Sequence, residues 1–271
     1  MDAHLEVMES LRWAFEACGI PCSVRINELD LTRRNIVFGW IVAAQINQLA
    51  DLPDGSILYN FEQFAGHAAP DPLTAQWLRR FQVWDYSPFN MDYWRAAQLP
   101  REPFCAPVSY APTLTRIPRT ESPDIDTLFI GAAGMVRYEK LLAIASSEWR
   151  PSMAVLLNVW GEQRDALIGR ARLMLNVSSE SEALRIFEVT RVSYYLANRI
   201  PVLCERVAGV HVEPDLQDAV AWAHKDDLAA TCERLLADPS ALQTLGQRGF
   251  DVFSRRDARQ VVRDWLAREG G

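Results

Sequence analysis

The chain has 271 residues, of which 49% are hydrophobic and 23% charged, with a net charge of -7. That length can bury the core of one large domain or two small ones, and the acid excess repels a phosphate backbone, so no nucleic-acid partner is expected. Five scattered cysteines without a CxxC pair and four histidines without ligand spacing point to reduced thiols, no metal site and a cytoplasmic protein.

Residues 1–13 carry charges throughout and lack the basic start and apolar run of a signal peptide. Residues 4–18 place Leu5, Met8, Leu11, Ala14, Phe15 and Cys18 on one helical face, and Gly19 follows as a stop. Residues 22–26 read as a short strand and 35–50 as a helix. The apolar stretch at 36–44 is too short to span a bilayer, and no transmembrane segment is expected. After a Pro53-Asp54-Gly55 turn come a strand at 57–61, a helix at 71–80, a strand at 82–87, a helix at 89–98 and a strand at 103–108. Asp71-Pro72 is a good helix start.

Residues 107–123 then hold four prolines and read as an interdomain linker. Alternation resumes with strands at 126–131, 153–160, 171–177 and 200–205. Helices are expected at 135–146, 162–169 and 182–197. Three more follow at 226–237, 240–252 and 257–268. Short apolar strands separated by helices predict parallel sheets with right-handed crossovers. The expected fold class is α/β with two Rossmann-like lobes and a ligand cleft between them. The expected domains are 1–110 as an N-terminal lobe, 111–125 as linker and 126–254 as a C-terminal lobe. Residues 255–271 are expected to follow as a terminal helix.

Two loops carry the candidate chemistry. In 176–191, NVSSESEALRIFEVTR, small polar residues Ser178, Ser179 and Ser181 turn the chain from a strand into a helix. The helix N-terminus suits a diphosphate. Glu188 would lie two turns inside that helix, on the side of Glu180 and Ser181, where a carboxylate can accept from two ribose hydroxyls. The plainer reading makes Glu180 a dipole partner and Glu188 a solvated helix residue. Arg191, three residues beyond Glu188, is expected to pair with it, and Arg185 is a phosphate candidate. In 129–140, FIGAAGMVRYEK, Gly131 and Gly134 allow close backbone approach, with Arg137 and Lys140 as diphosphate cations. The loop is not a GxGxxG fingerprint. In the first half, Glu62, His67 and Asp85 are the groups available as a general base.

Residues 130–266 resemble the C-terminal lobe of GT-B-fold glycosyltransferases of family 4. The resemblance runs through Glu180 and Glu188 as a Glu-x7-Glu element. It continues through LANRIPVLCE (196–205), the 227–254 stretch with its leucine-leucine-x-aspartate-proline and glycine-containing helix, and the last helix, 257–266. It implies that Glu180 faces the donor sugar and Glu188 holds the ribose. It also implies that Gly131, Gly134, Arg137 and Lys140 line the diphosphate, with Ser178, Ser179 and Ser181 beside it. The longer helix after Phe187-Glu188 is similar to spore-coat-type glycosyltransferase-like proteins. The opening strand and glycine-rich loop of the first lobe are missing, so that lobe reads as shortened. This fits a trimmed protein, one completed by a homo- or hetero-oligomeric partner, or one without activity. The resemblance implies transfer from a nucleotide-sugar to an acceptor whose identity stays open, whether glycan, lipid, peptide or small molecule. No cofactor beyond the donor substrate is required. The alternatives are a non-catalytic nucleotide-sugar-binding subunit and a sugar-nucleotide epimerase on the same architecture.

Overall fold

The structure, a computed structural model, describes residues 4–64, 72–132, 134–179 and 185–270. The chain divides into two compact units, Met1–Ser109 with Ala258–Gly271, and Tyr110–Asp257.

The first unit opens with helix α1 (Leu5–Ala17), which buries Val7, Met8, Leu11, Ala14 and Phe15. Its sheet has four strands, β1 (Ile36–Phe38), β2 (Ile57–Asn60), β3 (Gln82–Asp85) and β4 (Phe104–Cys105). They pair in chain order, all parallel. β2 and β3, the inner strands, are buried at every position, so their sequences do not alternate apolar with polar, and the polar residues Asn60, Gln82 and Asp85 sit at their ends. Leu58 and Val83 meet Trp40, Leu49, Trp77, Leu78 and Trp94 in one core layer. That layer is carried by α2 (Trp40–Gln45), α3 (Pro72–Arg80) and α4 (Met91–Ala96). On the other face Trp84 meets Phe15 at 6.4 Å between ring centroids and Trp265 at 5.4 Å. Trp265 belongs to the terminal helix, labelled α10 below, and donates to Gln82 Oε1 at 3.2 Å.

The second unit holds β5 (Ile125–Ile130), β6 (Met153–Leu156), β7 (Ala171–Asn176), β8 (Val202–Glu205) and β9 (Ala221–Ala223). Its parallel sheet has the order β6-β5-β7-β8-β9. The chain steps outward from β5 to β6, then returns across β5 to β7. This reversal creates a topological switch point at the carboxyl ends of β5 and β7, the place where open α/β sheets take ligands. The helices are α5 (Met135–Ala145), α6 (Gly161–Arg170), α7 (Val189–Ala197), α8 (Leu228–Leu236) and α9 (Pro239–Phe253), before α10 (Ala258–Glu269). α9 starts on Asp238, whose carboxylate accepts from Ala241 N–H at 3.0 Å, with Pro239 at the first helical position. Its Gly246 lies so close to the β8 approach that a Cβ would sit 2.3 Å from Arg199 O, so packing accounts for that glycine.

Several elements differ from the sequence expectation. Residues 22–26 join no sheet, and 35–50 splits into β1 and α2 at Gly39, whose φ is +63°. β9 has no counterpart in the expected strands. Residues 110–124 are pinned within the second unit. Asn198 Oδ1 accepts from Arg116 N–H and Ile117 N–H, both at 2.8 Å, and its Nδ2 donates to Leu114 O at 2.9 Å. The expected linker is therefore a fastened segment with a 3-10 turn at Pro112–Leu114. Among the described residues the first strand in the chain is β1, after α1. No helix among them is long and apolar enough to cross a membrane.

Candidate functional site

The switch point gathers charged groups from three elements. β5 ends at Ile130 and turns at Gly131, whose φ is +150°. α5 begins after Gly134 and turns Arg137 inward, where it is 6% exposed. Its Nε donates to Val177 O at 2.9 Å, Nη1 to Ala132 O at 2.9 Å, and Nη2 to Glu188 Oε1 at 2.8 Å. Burial pushes the Arg137 guanidinium below its ordinary value, and the adjoining Glu188 carboxylate opposes that shift. One side chain thus ties the β5 loop, the end of β7 and the start of α7.

Glu188 is the residue preceding α7, not a residue two turns inside a helix. Residues 185–187 are held extended by pairing with His211. His211 N–H donates to Arg185 O at 2.7 Å, and Phe187 N–H donates to His211 O at 2.9 Å. The helix expected over 182–197 is therefore helix only from Val189 among the described residues. The Glu188 side chain does not cap α7. It turns to two guanidiniums, accepting from Arg137 and also from Arg191. Arg191 Nη1 lies 2.8 Å from Oε2, and Nη2 lies 3.2 Å from Oε1. Arg191 Nη1 donates further to Asn176 Oδ1 at 2.9 Å. Both guanidiniums lie over the Phe129 ring, at 6.0 and 5.6 Å. A Cβ on Gly131 would come within 3.1 Å of Arg191 Nη2.

Lys140 forms the second knot. Its Nζ lies 2.6 Å from Glu205 Oε1 and donates to Ser178 O at 3.3 Å, while Glu205 Oε2 accepts from Ser178 N–H at 2.8 Å. Lys140 and Glu205 are both nearly buried. Among the described residues the switch point therefore holds three cations against two carboxylates: Arg191 is matched to Glu188 and Lys140 to Glu205, which leaves Arg137 in excess. That excess favours an anion, while Glu188, which accepts from three N–H groups, keeps about one lone-pair site for a hydroxyl donor. Beside Glu188 a pocket extends over Phe187, Trp222, Arg206 and Val210. The Arg206 guanidinium covers the Trp222 ring at 4.1 Å, and Phe187 meets that ring at 5.3 Å.

The expected residues thus converge in part. Gly131, Gly134, Arg137, Lys140, Ser178 and Glu188 are built around the β5 and β7 ends. Ser179 follows on the loop, and Arg185 is exposed on the segment before Glu188. Glu180, Ser181 and His67 lie outside the described residues. Arg137 and Lys140, the expected diphosphate cations, are each paired with a carboxylate, Glu188 and Glu205. Asn176, Glu205 and Arg206 were not anticipated. Asn176 and Glu205 end β7 and β8, so their strand-end position was the signal that could have found them.

The first sheet ends differently. Asp85, at the end of β3, is fully buried. It accepts from Asn60 Nδ2 at 2.8 Å, Ser87 N–H at 2.8 Å, Asn90 Nδ2 at 3.1 Å and Trp94 Nε1 at 2.6 Å. Burial pushes its carboxyl up to about 6, with those donors holding it down. Asn60 and Asn90 also donate to Glu62 O, at 2.9 and 2.8 Å, which leaves the Glu62 side chain exposed. Among the described residues no group of three or more His, Cys, Asp and Glu could hold a metal ion.

No protein-family model and no curated protein matches the sequence. Solved structures do match the fold. Anabaena HepE in complex with UDP and glucose has a TM-score of 0.59 at 12% identity, covering 98% of this chain and 96% of that one. A glycosyltransferase from Rickettsia africae has a TM-score of 0.55 at 8% identity, covering 96% and 92%. TarM, known from S. aureus, has a TM-score of 0.56 at 8% identity, with 79% of this chain matched to half of TarM. Two parallel α/β sheets of four and five strands with this likeness have the GT-B glycosyltransferase fold.

Proposed function

We propose that the chain is a glycosyltransferase that takes a sugar from a nucleotide-activated donor, with the nucleotide held by the second unit. The observation that carries this reading is Glu188, a carboxylate fixed by two arginines at the switch point of a parallel sheet. Its remaining lone-pair site suits a ribose hydroxyl, and the excess cation beside it, Arg137, suits the attached diphosphate. HepE, of similar length and fold, is described with UDP and glucose, so UDP-sugars are the first donors to test.

Catalysis in this reading is positional and electrostatic and draws on this chain's own cations. Arg137 and Lys140, each paired with a carboxylate and bonded to Val177, Ala132 or Ser178, act on the departing diphosphate through their field. Of the two described carboxylates expected on the acceptor side, Asp85 is sealed and Glu62 is exposed, so Glu62 is the general-base candidate. The internal pairing of Arg137 and Lys140 favours one second reading, a nucleotide-sugar-binding subunit without transfer activity.

The test is a thermal-shift screen with nucleoside diphosphates and nucleotide-sugars, followed by release of nucleoside diphosphate from the donor that binds. A ligand at a hundredfold its Kd adds about 2.7 kcal/mol of stability. Binding with turnover supports the transferase, and binding without turnover supports the subunit. No shift with any nucleotide sinks both.

A further inference from the structure

Arg191 sits where an isolated helix would not place it. It is the third residue of α7, in the turn whose exposed N–H groups carry positive partial charge. α7 has no acidic residue in that first turn to offset it. The helix buries the next residues, Val192, Ser193 and Tyr194, while the Arg191 guanidinium turns back past the helix start to three strand-end groups. It bonds Asn176 at the end of β7, covers Phe129 of β5 and holds both oxygens of Glu188. Gly131 leaves it the space to do so, because any Cβ there would press on Nη2.

The grip explains the Glu188 conformation. A short polar side chain such as Asp or Ser at the start of a helix ordinarily folds over to accept from the first free N–H groups. Glu188 forgoes this and presents its carboxylate toward the strand ends, between Arg137 and Arg191. Arg137 reaches only one oxygen and is itself anchored to two backbone carbonyls. Arg191 reaches both oxygens and so fixes the rotation of the carboxylate plane, as a planar fork can and an ammonium cannot.

We propose that Arg191 is a positioning residue for nucleotide recognition, orienting Glu188 toward the ribose without itself touching the phosphates. The inference rests on the nucleotide-binding reading of the second unit. It separates Arg191 from the cations that act on the diphosphate: removing Arg191 should weaken a nucleoside as much as its diphosphate.

The experiment measures calorimetric affinity for uridine and UDP, guanosine and GDP, and adenosine and ADP. It uses the full chain, Arg191→Met, Arg191→Lys, Glu188→Gln and Glu188→Gln with Arg191→Met. Methionine keeps the apolar stem over Phe129, and circular dichroism checks that each variant is folded. The expected result is an equal loss, about tenfold, for the nucleoside and its diphosphate in Arg191→Met, the size of a lost charged hydrogen-bond partner. Lysine should not restore affinity, and Arg191→Met should add nothing in the Glu188→Gln background. A loss confined to the diphosphate, full rescue by lysine, or additive losses in the double variant would each overturn the positioning role. Unchanged affinity in Arg191→Met would do the same while leaving the nucleotide reading intact. If the unmodified chain binds none of the six ligands, the nucleotide reading fails and takes this inference with it.

Discussion

Each sheet ends in a knot of polar side chains, yet the two knots are made of different materials. At the end of β3 one carboxylate, Asp85, is surrounded by neutral donors from Asn60, Ser87, Asn90 and Trp94, and is sealed from solvent. At the ends of β5, β7 and β8 two carboxylates face three cations among the described residues, and Glu188 and Arg191 stay about a fifth exposed. A carboxylate with a complete set of donors and no open face holds loops in place. A partly exposed carboxylate among surplus cations can exchange some of its partners for a ligand. Standing at the carboxyl end of a strand is therefore not enough to make a site.

Substitutions can break that contrast, beginning with the largest expected effect. Lys140→Ala leaves Glu205 buried without its cation and should destabilise the second unit by roughly 3–5 kcal/mol in urea denaturation. Asp85→Ala leaves several buried donors unpaired and should cost about 3 kcal/mol in the first unit. If that variant retains full stability, Asp85 is not the organiser of its loops.

The pH dependence sharpens the point. The Asp85 carboxyl is raised to about 6 in the folded state, so its contribution to stability is complete below pH 4, near its unfolded value. That contribution is lost as pH rises through about 6. The stability of the native chain minus that of Asp85→Asn should fall over this window by up to about 3 kcal/mol. A difference that is flat with pH would mean Asp85 titrates as an ordinary carboxyl.

Glu188→Ala should weaken nucleotide binding by roughly 1.5–3 kcal/mol, the worth of hydrogen bonds to a charged group, read by calorimetry. The smallest structural effect belongs to Glu62→Gln, which should leave the melting temperature unchanged because the side chain is exposed. If Glu62 is the base, the same substitution lowers kcat by about a hundredfold or more.

Much of the fold was legible because its signals are local. Apolar runs such as 125–130, flanked by helix-forming stretches, mark buried parallel strands. Asp238-Pro239 marks the start of α9. β9 escaped because three residues, AWA, carry no periodicity of their own and become a strand only by pairing with β8. The helix start near Glu188 was misplaced for the same reason, since the pairing of 185–187 with His211 is a contact across 24 or more residues of chain. Charge pairs at short spacing were readable, as with Glu188 and Arg191. Pairs such as Lys140 with Glu205 and Arg137 with Glu188 join residues far apart in the chain.

The sequence by itself determined the α/β alternation, the two runs of strands and the two loops that carry the candidate site, because periodicity, turn chemistry and helix starts act within a few residues. Only the tertiary structure decided which charges meet. It buried Asp85 among donors, turned Arg137 and Lys140 inward and aimed Glu188 away from its own helix. The physical reason is that the strength of a charge depends on its burial and its partners, and the fold brings those partners in from distant parts of the chain.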